Sequence, residues 1–169
     1  MPTARPESHV TSRRGTSGAG PDAIKLLKDD HAEVKKLFGE YDKLAKRQAD
    51  AAEREMLALK ICEMLTVHTK IEEEIFYPAC REVLQQGDDL VDEAAVEHTS
   101  AKELIQQIES GKPDDDLYDA KVKVLGEYVN HHVKEEQNEL FPKVRGRIDA
   151  KGIGQQMQER KTELTTGTH

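Results

Sequence analysis

Two short segments of the chain each carry a histidine followed four residues later by a glutamate. They read HTKIEEEIFYP at residues 68–78 and HVKEEQNELFP at residues 132–142, so histidine, glutamate and proline recur at matching offsets. Residues four apart on a helix share one face and are separated by one turn. Imidazole nitrogens and carboxylate oxygens together suit iron, manganese, zinc and other mid-row metal ions. The repeated pair therefore indicates a metal site.

Two further histidines lie on apolar stripes of other predicted helices. His31 belongs to a series of apolar residues spaced three and four apart within 24–45, and His98 to a similar series within 91–108. This spacing is typical of amphipathic helices that bury one face. With the two pairs, they place one histidine on the core face of each of four helices. The predicted metal ligands are His31, His68, Glu72, His98, His132 and Glu136.

The predicted burial of these side chains argues for bound cations. An ionised carboxylate in an apolar core is strongly destabilised unless it has a partner. A multivalent cation stabilises carboxylates and neutral imidazoles together. Six ligands are enough for two ions with bridging carboxylates, and the lack of a cysteine on the stripes disfavours a thiolate site. We assign His31 with His68 to one ion and His98 with His132 to the other, because helices joined as a hairpin are neighbours.

Each of these residues has an alternative interpretation. A single histidine on an apolar stripe is more often a hydrogen-bonded core residue, but four histidines with two glutamates favour metal. His131 and Glu135 form a rival pair about 100° from the stripe, so we expect them to face solvent or to support the ligands. We expect Lys102 to reach the surface and Tyr128 to pack in the core, although its phenol could approach the metals. Charged surface is the expectation for Glu73, Glu74 and Glu97.

The apolar period predicts four helices joined by short polar loops. Their approximate ranges are 22–48, 50–86, 89–110 and 117–147, and Gly87 is the expected terminator of the second. Pro78 should kink that helix because proline lacks a backbone donor. Long helices with short connections favour antiparallel neighbours, so the predicted fold is an all-α, up-down-up-down antiparallel four-helix bundle.

The predicted bundle covers residues 21–148, with a segment of different character on each side. Residues 1–20 are rich in Ser, Gly, Pro and Arg and are predicted to be a disordered tail. Residues 149–169 are predicted to be a polar C-terminal tail or frayed helix, because glycines at 152 and 154 interrupt the pattern.

The overall charge restricts the expected partners. The chain has 33 acidic and 25 basic residues and a net charge of -8, which disfavours nucleic acid and anionic membranes. It has no apolar run of about 18 residues, and residues 1–20 lack an apolar centre, so we expect a cytoplasmic protein. Cys62 and Cys80 lie about 27 Å apart on one predicted helix and are expected to be reduced thiols.

The four motifs resemble the hemerythrin-like, or HHE cation-binding, domain over roughly residues 22–147. The residues that carry the resemblance are DH at 30–31, HTKIEEEIFYP at 68–78, EH at 97–98 and HHVKEEQNELFP at 131–142. The resemblance implies a non-haem di-iron centre with an oxo or hydroxo bridge and carboxylate bridges. Its ligands fall on the six residues named above.

Two departures separate this chain from the oxygen-carrying members. Lys102 stands where they have a further histidine one turn after His98, and Glu136 follows His132 by four residues where they have an aspartate after five. These departures argue against reversible oxygen carriage and predict an open coordination position.

We therefore expect a di-iron protein that reacts with hydrogen peroxide, O2 or NO in oxidative or nitrosative stress defence. Its activity would be catalase-like or directed at NO. The alternative is an oxygen or iron sensor, or an O2-binding module, without turnover. Iron storage is a weaker hypothesis because one site holds only two ions.

Overall fold

The computed structural model describes residues 22–86 and 88–167, and every regular element within these ranges is helical. The α-helices are α1 (Ala23–Lys46), α2 (Ala51–Ile71), α3 (Tyr77–Val83), α4 (Leu90–Ser110), α5 (Tyr118–Glu135), α6 (Phe141–Val144) and α7 (Ala150–Thr166). Two π-helical turns, π1 (Glu72–Phe76) and π2 (Glu136–Leu140), connect α2 to α3 and α5 to α6. The predicted disordered tail at 1–20 and the predicted terminator Gly87 lie outside the described residues.

The first two helices each follow an aspartate, Asp22 or Asp50, but differ in how they are capped. The Asp22 side chain accepts a hydrogen bond from the backbone N–H of Lys25 at 2.8 Å, which satisfies one free donor of α1. Asp50 makes no such bond. Glu53, three residues after Asp50, pairs with Arg47 at 3.0 Å.

The two π-helical turns follow directly on the two His-x-x-x-Glu pairs. In π1, the N–H of Tyr77 donates to the carbonyl of Glu72, five residues earlier. In π2, the N–H of Phe141 donates to the carbonyl of Glu136 in the same way. A proline follows each turn, as expected where a residue without an N–H interrupts α-helical bonding. The extra residue in each π-helical turn brings the residue before the proline back towards the helix face that carries the glutamate. These residues are Tyr77, which follows Glu72, and Phe141, which follows Glu136.

The helices pack around two apolar clusters. Helix α1 contacts α2 and α5, and α4 contacts the same two helices. One cluster includes Leu27, Ile71 and Phe141, and the other includes Val34 and Leu125. The predicted ligands come between these clusters along each helix. The all-helical class is confirmed, whereas the up-down-up-down order stays a prediction.

The structure corrects the prediction of a polar tail at 149–169, because residues 150–166 form the packed helix α7. Asp149 caps it by accepting a hydrogen bond from the N–H of Gly152 at 3.1 Å. The two glycines fall in the first turn and a half, where they do not break the helix. Met157 is fully buried, and Ile153 and Leu164 pack against the same apolar cluster.

Two cationic residues fix α7 to the rest of the molecule. Arg160 pairs with Glu74 of π1 at 2.7 Å, and Lys161 reaches Asp30 of α1 at 2.5 Å. These contacts lie next to the predicted metal ligands. Among the described residues, none of the helices combines the length and the apolarity needed to cross a membrane.

Candidate metal centre

All six predicted ligands are buried, and their polar atoms meet in two overlapping groups. In each group the ligand atoms lie within 4.8 Å of one another. The groups consist of His31, His68, Glu72 and Glu136, and of Glu72, His98 and His132. We call the place beside His31 and His68 position 1 and the place beside His98 and His132 position 2. The structure brings the six side chains together, and their role as ligands stays a prediction.

The two carboxylates stand between the two positions. Glu136 Oε1 lies 2.8 Å from His132 Nε2 and 3.5 Å from His31 Nε2. Glu72 Oε1 contacts His68 Nε2, and its Oε2 lies 4.0 Å from His98 Nε2. Each carboxylate therefore faces one histidine from each position, which is the arrangement that bridging ligands need.

Several of these buried atoms lack hydrogen bonds, which tests whether the residues suit a metal. Among the described residues, no hydrogen-bond partner exists for the Nε2 atoms of His31 and His68, both oxygens of Glu72, or Oε1 of Glu136. The atoms contact one another without hydrogen-bond geometry. Buried polar atoms are nearly always paired, so such a cluster needs an explanation. A cation bound by imidazole and carboxylate satisfies all five atoms, and the residues fit such an ion.

The electrostatics of the metal-free arrangement depend on histidine protons. Burial opposes a charge on His68, but Glu72 and Asp30 outweigh it and raise the pKa of His68 to about 10. Burial likewise opposes a charge on His132, and Glu136 raises the pKa of His132 to about 11. Protons on these two histidines balance the buried carboxylates when no cation is bound. A metal ion must displace them, because imidazole ligates in its neutral form.

The same charges shift the pKa values of Glu136 and His98. Burial raises the pKa of Glu136, but His132 outweighs that effect and holds it well below the ordinary value. Burial lowers the pKa of His98, and His132 adds to that effect against the attraction of Glu72. His98 is therefore ready to ligate without losing a proton.

Two glutamates expected at the surface instead support the ligands. Glu73 accepts a hydrogen bond from His98 Nδ1 at 3.1 Å, and Glu97 accepts one from His132 Nδ1 at 3.2 Å. Hydrogen bonds of this kind fix the ring orientation and leave Nε2 for the metal. Each of the two lies next to a predicted ligand in the sequence, which is the signal that could have identified them. Glu74, by contrast, is a surface residue paired with Arg160.

Tyr77 is the residue of the centre that the sequence pattern missed. Its hydroxyl lies 3.2 Å from Nε2 of both His98 and His132, and 3.3 Å from Oε2 of Glu136. An α-helix would turn a residue five positions after Glu72 away from the ligand face. The π-helical turn returns it to that face.

The remaining side chains considered from the sequence lie around the centre. Tyr128 is 47% exposed, so the expected core packing is wrong, although it lines a cavity beside the ligands. Lys102 reaches the surface and pairs with Glu73 at 2.7 Å. His131 is exposed and contacts Glu135 at 3.1 Å and Glu97 at 3.7 Å.

The two cysteines remain free thiols. Both Cys62 and Cys80 are buried, and burial raises the pKa of each thiol to about 12. They therefore carry no charge near neutral pH.

A small cavity lies against the four histidines of the centre. Its volume is about 30 Å³, enough for one or two molecules of the size of water. Apart from the ligands and their supporting carboxylates, its walls are mainly apolar and include Met64, Leu65, Ala101, Val129 and Val133. The cavity therefore has room for a small neutral molecule beside the ligand side chains.

Comparison with known proteins agrees with this geometry. The family model of the hemerythrin HHE cation-binding domain matches residues 22–144. A hemerythrin HHE cation-binding domain-containing protein from Mycobacterium kansasii superposes with a TM-score of 0.70 at 19% identity, covering 86% of this chain and 88% of that one. At that identity, the superposition shows a shared fold.

A second relative is a DNA nickase from Nostoc sp. strain PCC 7120. It is 28% identical over 125 residues, which are 74% of this chain. The matched part is only 34% of the nickase, so this chain spans about a third of that protein. The family match covers most of the chain and includes all six predicted ligands. The chain therefore belongs to the hemerythrin HHE cation-binding domain family.

Proposed function

We propose that this protein holds two iron ions at positions 1 and 2 and uses them to react with hydrogen peroxide, O2 or NO. The observation that carries the proposal is the cluster of buried, unpaired ligand atoms next to a cavity of about 30 Å³. The ligand set, two imidazoles at each position with two shared carboxylates, suits iron. When bound, iron supplies electrons and open coordination positions for the small molecule.

Small, uncharged molecules suit the cavity that lies against the four histidines. The cavity admits a molecule of about the size of water, and its apolar walls disfavour ions. Peroxide, O2 and NO are small and uncharged near neutral pH, so they fit this cavity. A second, open groove of about 720 Å³ also reaches His31, so this selection for small molecules applies to the cavity beside the four histidines.

The hydroxyl of Tyr77 is a proton donor that lies beside His98 and His132, at position 2. Burial raises the pKa of its phenol, and the charges of Glu72 and Glu136 raise it further, so the hydroxyl keeps its proton. It could therefore donate a hydrogen bond to an oxygen atom of a small molecule beside His98 and His132. Donors placed where charge develops are a common source of rate enhancement. This arrangement favours a reactive centre in oxidative or nitrosative stress defence.

The enzymatic proposal is tested with anaerobically reconstituted iron protein. We expect peroxide loss with release of one O2 for every two peroxide molecules, at a rate well above that of free iron. Glu72→Gln should lose most of this rate because it removes one shared carboxylate charge. The matched control is Glu82→Gln, an exposed glutamate of α3, which should behave as the wild type. Equal rates for the wild type, Glu72→Gln and free iron would contradict turnover.

A sensing function without turnover is the second candidate, and the docking of α7 favours it. Lys161 of α7 contacts Asp30, and Asp30 accepts a hydrogen bond from His68 Nδ1 at 3.0 Å. A cation bound by His68 would add positive charge next to Asp30 and Lys161, the pair that holds α7. Limited proteolysis should then cut α7 at different rates in the metal-free and metal-bound forms. Equal cleavage rates would argue against sensing through this helix.

The expectations on partners and location remain proposals. The net charge of -8 disfavours DNA as a partner, so nicking activity is not part of the proposed function. A cytoplasmic location is proposed with the function and would be checked by cell fractionation.

A further inference from the structure

The four histidines of the centre all direct Nε2 inward and hydrogen-bond through Nδ1 to a side chain outside it. The Nδ1 distances are 2.9, 3.0, 3.1 and 3.2 Å, for the pairs His31–Gln137, His68–Asp30, His98–Glu73 and His132–Glu97. Such outer partners orient a ligand ring and set how strongly it donates to a metal.

These partners follow one rule in both halves of the chain. The residue just before His31 supports His68, and the residue just before His98 supports His132. The residue just after Glu72 supports His98, and the residue just after Glu136 supports His31. Gln137 therefore occupies the place that Glu73 has in the other half. Three of the four partners are carboxylates, and Gln137 alone among them is neutral.

The charged residues that contact the outer partners also differ between position 1 and position 2. At position 1 the charge of Asp30 is balanced by Lys161 at 2.5 Å, and Gln137 adds none. At position 2 Lys102 balances Glu73 at 2.7 Å, but Glu97 remains as a second carboxylate. The imidazole of His131 also lies near Glu97, at 3.7 Å, and is exposed to solvent. The side chains that support position 2 are therefore more negative than those that support position 1.

A carboxylate partner makes an imidazole more basic and stabilises a nearby cation, whereas an amide does so less. We propose that Gln137 makes position 1 the weaker and exchangeable metal position, so that the ion beside His31 is released first. This inference rests on the proposed two-iron centre and adds which of its ions exchanges. It assigns Gln137 as a positioning residue that acts through His31.

The hydroxyl of Tyr77 also supports the inference that the ion at position 1 is released before the ion at position 2. It adds a further oxygen near His98 and His132, while the equivalent residue at position 1 is Phe141, whose ring stacks on His31. Position 1 thus lacks the hydroxyl that lies beside position 2, and one of its two outer partners is neutral.

The test follows iron release from the full-length protein, reconstituted anaerobically with Fe2+ and titrated with a chromogenic Fe2+ chelator. We expect two steps in the wild type, each of about one iron per chain. Gln137→Glu should move the first step to about tenfold higher chelator concentration. Glu73→Gln should weaken position 2 by a similar factor and bring the second step towards the first.

Two controls keep the result specific. Gln107→Glu, at an exposed residue of α4, adds the same charge away from the outer partners and should leave both steps unchanged. Circular dichroism verifies that each variant is folded. If Gln137→Glu does not fold, Glu73→Gln still tests the inference. Two irons released together, with no change in either variant, would overturn the inference and leave the two-iron centre standing. A wild type that binds no iron would overturn both.

Discussion

At the scale of single residues, Tyr77 and Phe141 distinguish the two metal positions. Both directly precede the proline of their motif and follow a π-helical turn. The Tyr77 hydroxyl contacts His98 and His132 at 3.2 Å, whereas the Phe141 ring stacks on His31 with 6.1 Å between ring centroids. One position therefore has a hydrogen-bond donor where the other has an apolar ring.

Replacing Tyr77 with Phe should slow the reaction of the iron protein while leaving its fold unchanged. The substitution keeps the ring that fills the core and removes only the hydroxyl that faces position 2. Loss of one such donor is expected to lower the rate of peroxide loss by about tenfold or more. Stopped-flow absorbance of the reconstituted protein measures this rate.

Tyr118→Phe is the matched control, because Tyr118 is buried in the apolar cluster that includes Val34 and Leu125 and does not line the cavity beside the ligands. It should retain the wild-type rate. A larger effect in Tyr118→Phe than in Tyr77→Phe would contradict the role assigned to Tyr77.

The residue types and their spacing were sufficient to predict which six side chains come together. The four-residue interval of His68 and Glu72 keeps them on one face in any α-helix. Tyr77 could not be found in this way, because its position depends on the extra residue in π1. Glu73 and Glu97, which support His98 and His132, were predicted to be charged surface residues. The helical period shows which face a residue lies on, but not whether a long side chain on a neighbouring face can contact a ligand.

At the scale of elements, α7 is the main departure from the predicted architecture. It packs on α1, α2 and π1, and its single fully buried side chain of large size is Met157. Its apolar residues are few and far apart, and polar residues dominate the segment. Composition does not distinguish such a narrow apolar stripe from a frayed tail. For this reason the prediction of a polar tail at residues 149–169 was wrong.

Met157→Ala should destabilise the protein by about 2–5 kcal/mol, because it leaves a cavity where α7 meets the apolar cluster. Urea unfolding followed by circular dichroism measures the change. Met56→Ala is the control, since Met56 is 75% exposed and its truncation should change stability by less than about 0.5 kcal/mol. Equal shifts of the two unfolding midpoints would mean that α7 is not docked as described.

At the scale of the whole molecule, the candidate metal centre lies between two apolar clusters, and its predicted ligands come from four helical segments. A metal ion held there would tie together residues that are distant in the sequence, from His31 to Glu136. The all-helical class followed from the three- and four-residue period alone. The path of the chain between helices did not, because the period shows which face is buried but not which helix covers it.

Bound metal should stabilise the folded protein, because the unfolded chain offers no assembled site. At free Fe2+ about 100 times the dissociation constant, one site is expected to add about 2.7 kcal/mol to the free energy of unfolding. Anaerobic urea unfolding with Fe2+ and with a chelator measures this difference. Glu72→Gln should show a smaller gain, and a gain equal to that of the wild type would contradict its place in the centre.

The central claim, that the six buried side chains hold two cations, is tested most directly by anomalous X-ray diffraction from crystals of the iron-loaded protein. Data at the iron absorption edge should show two peaks, one beside His31 and His68 and the other beside His98 and His132, with Glu72 and Glu136 between them. Absence of both peaks, or a peak confined to the outer cluster of Glu97, His131 and Glu135, would contradict it.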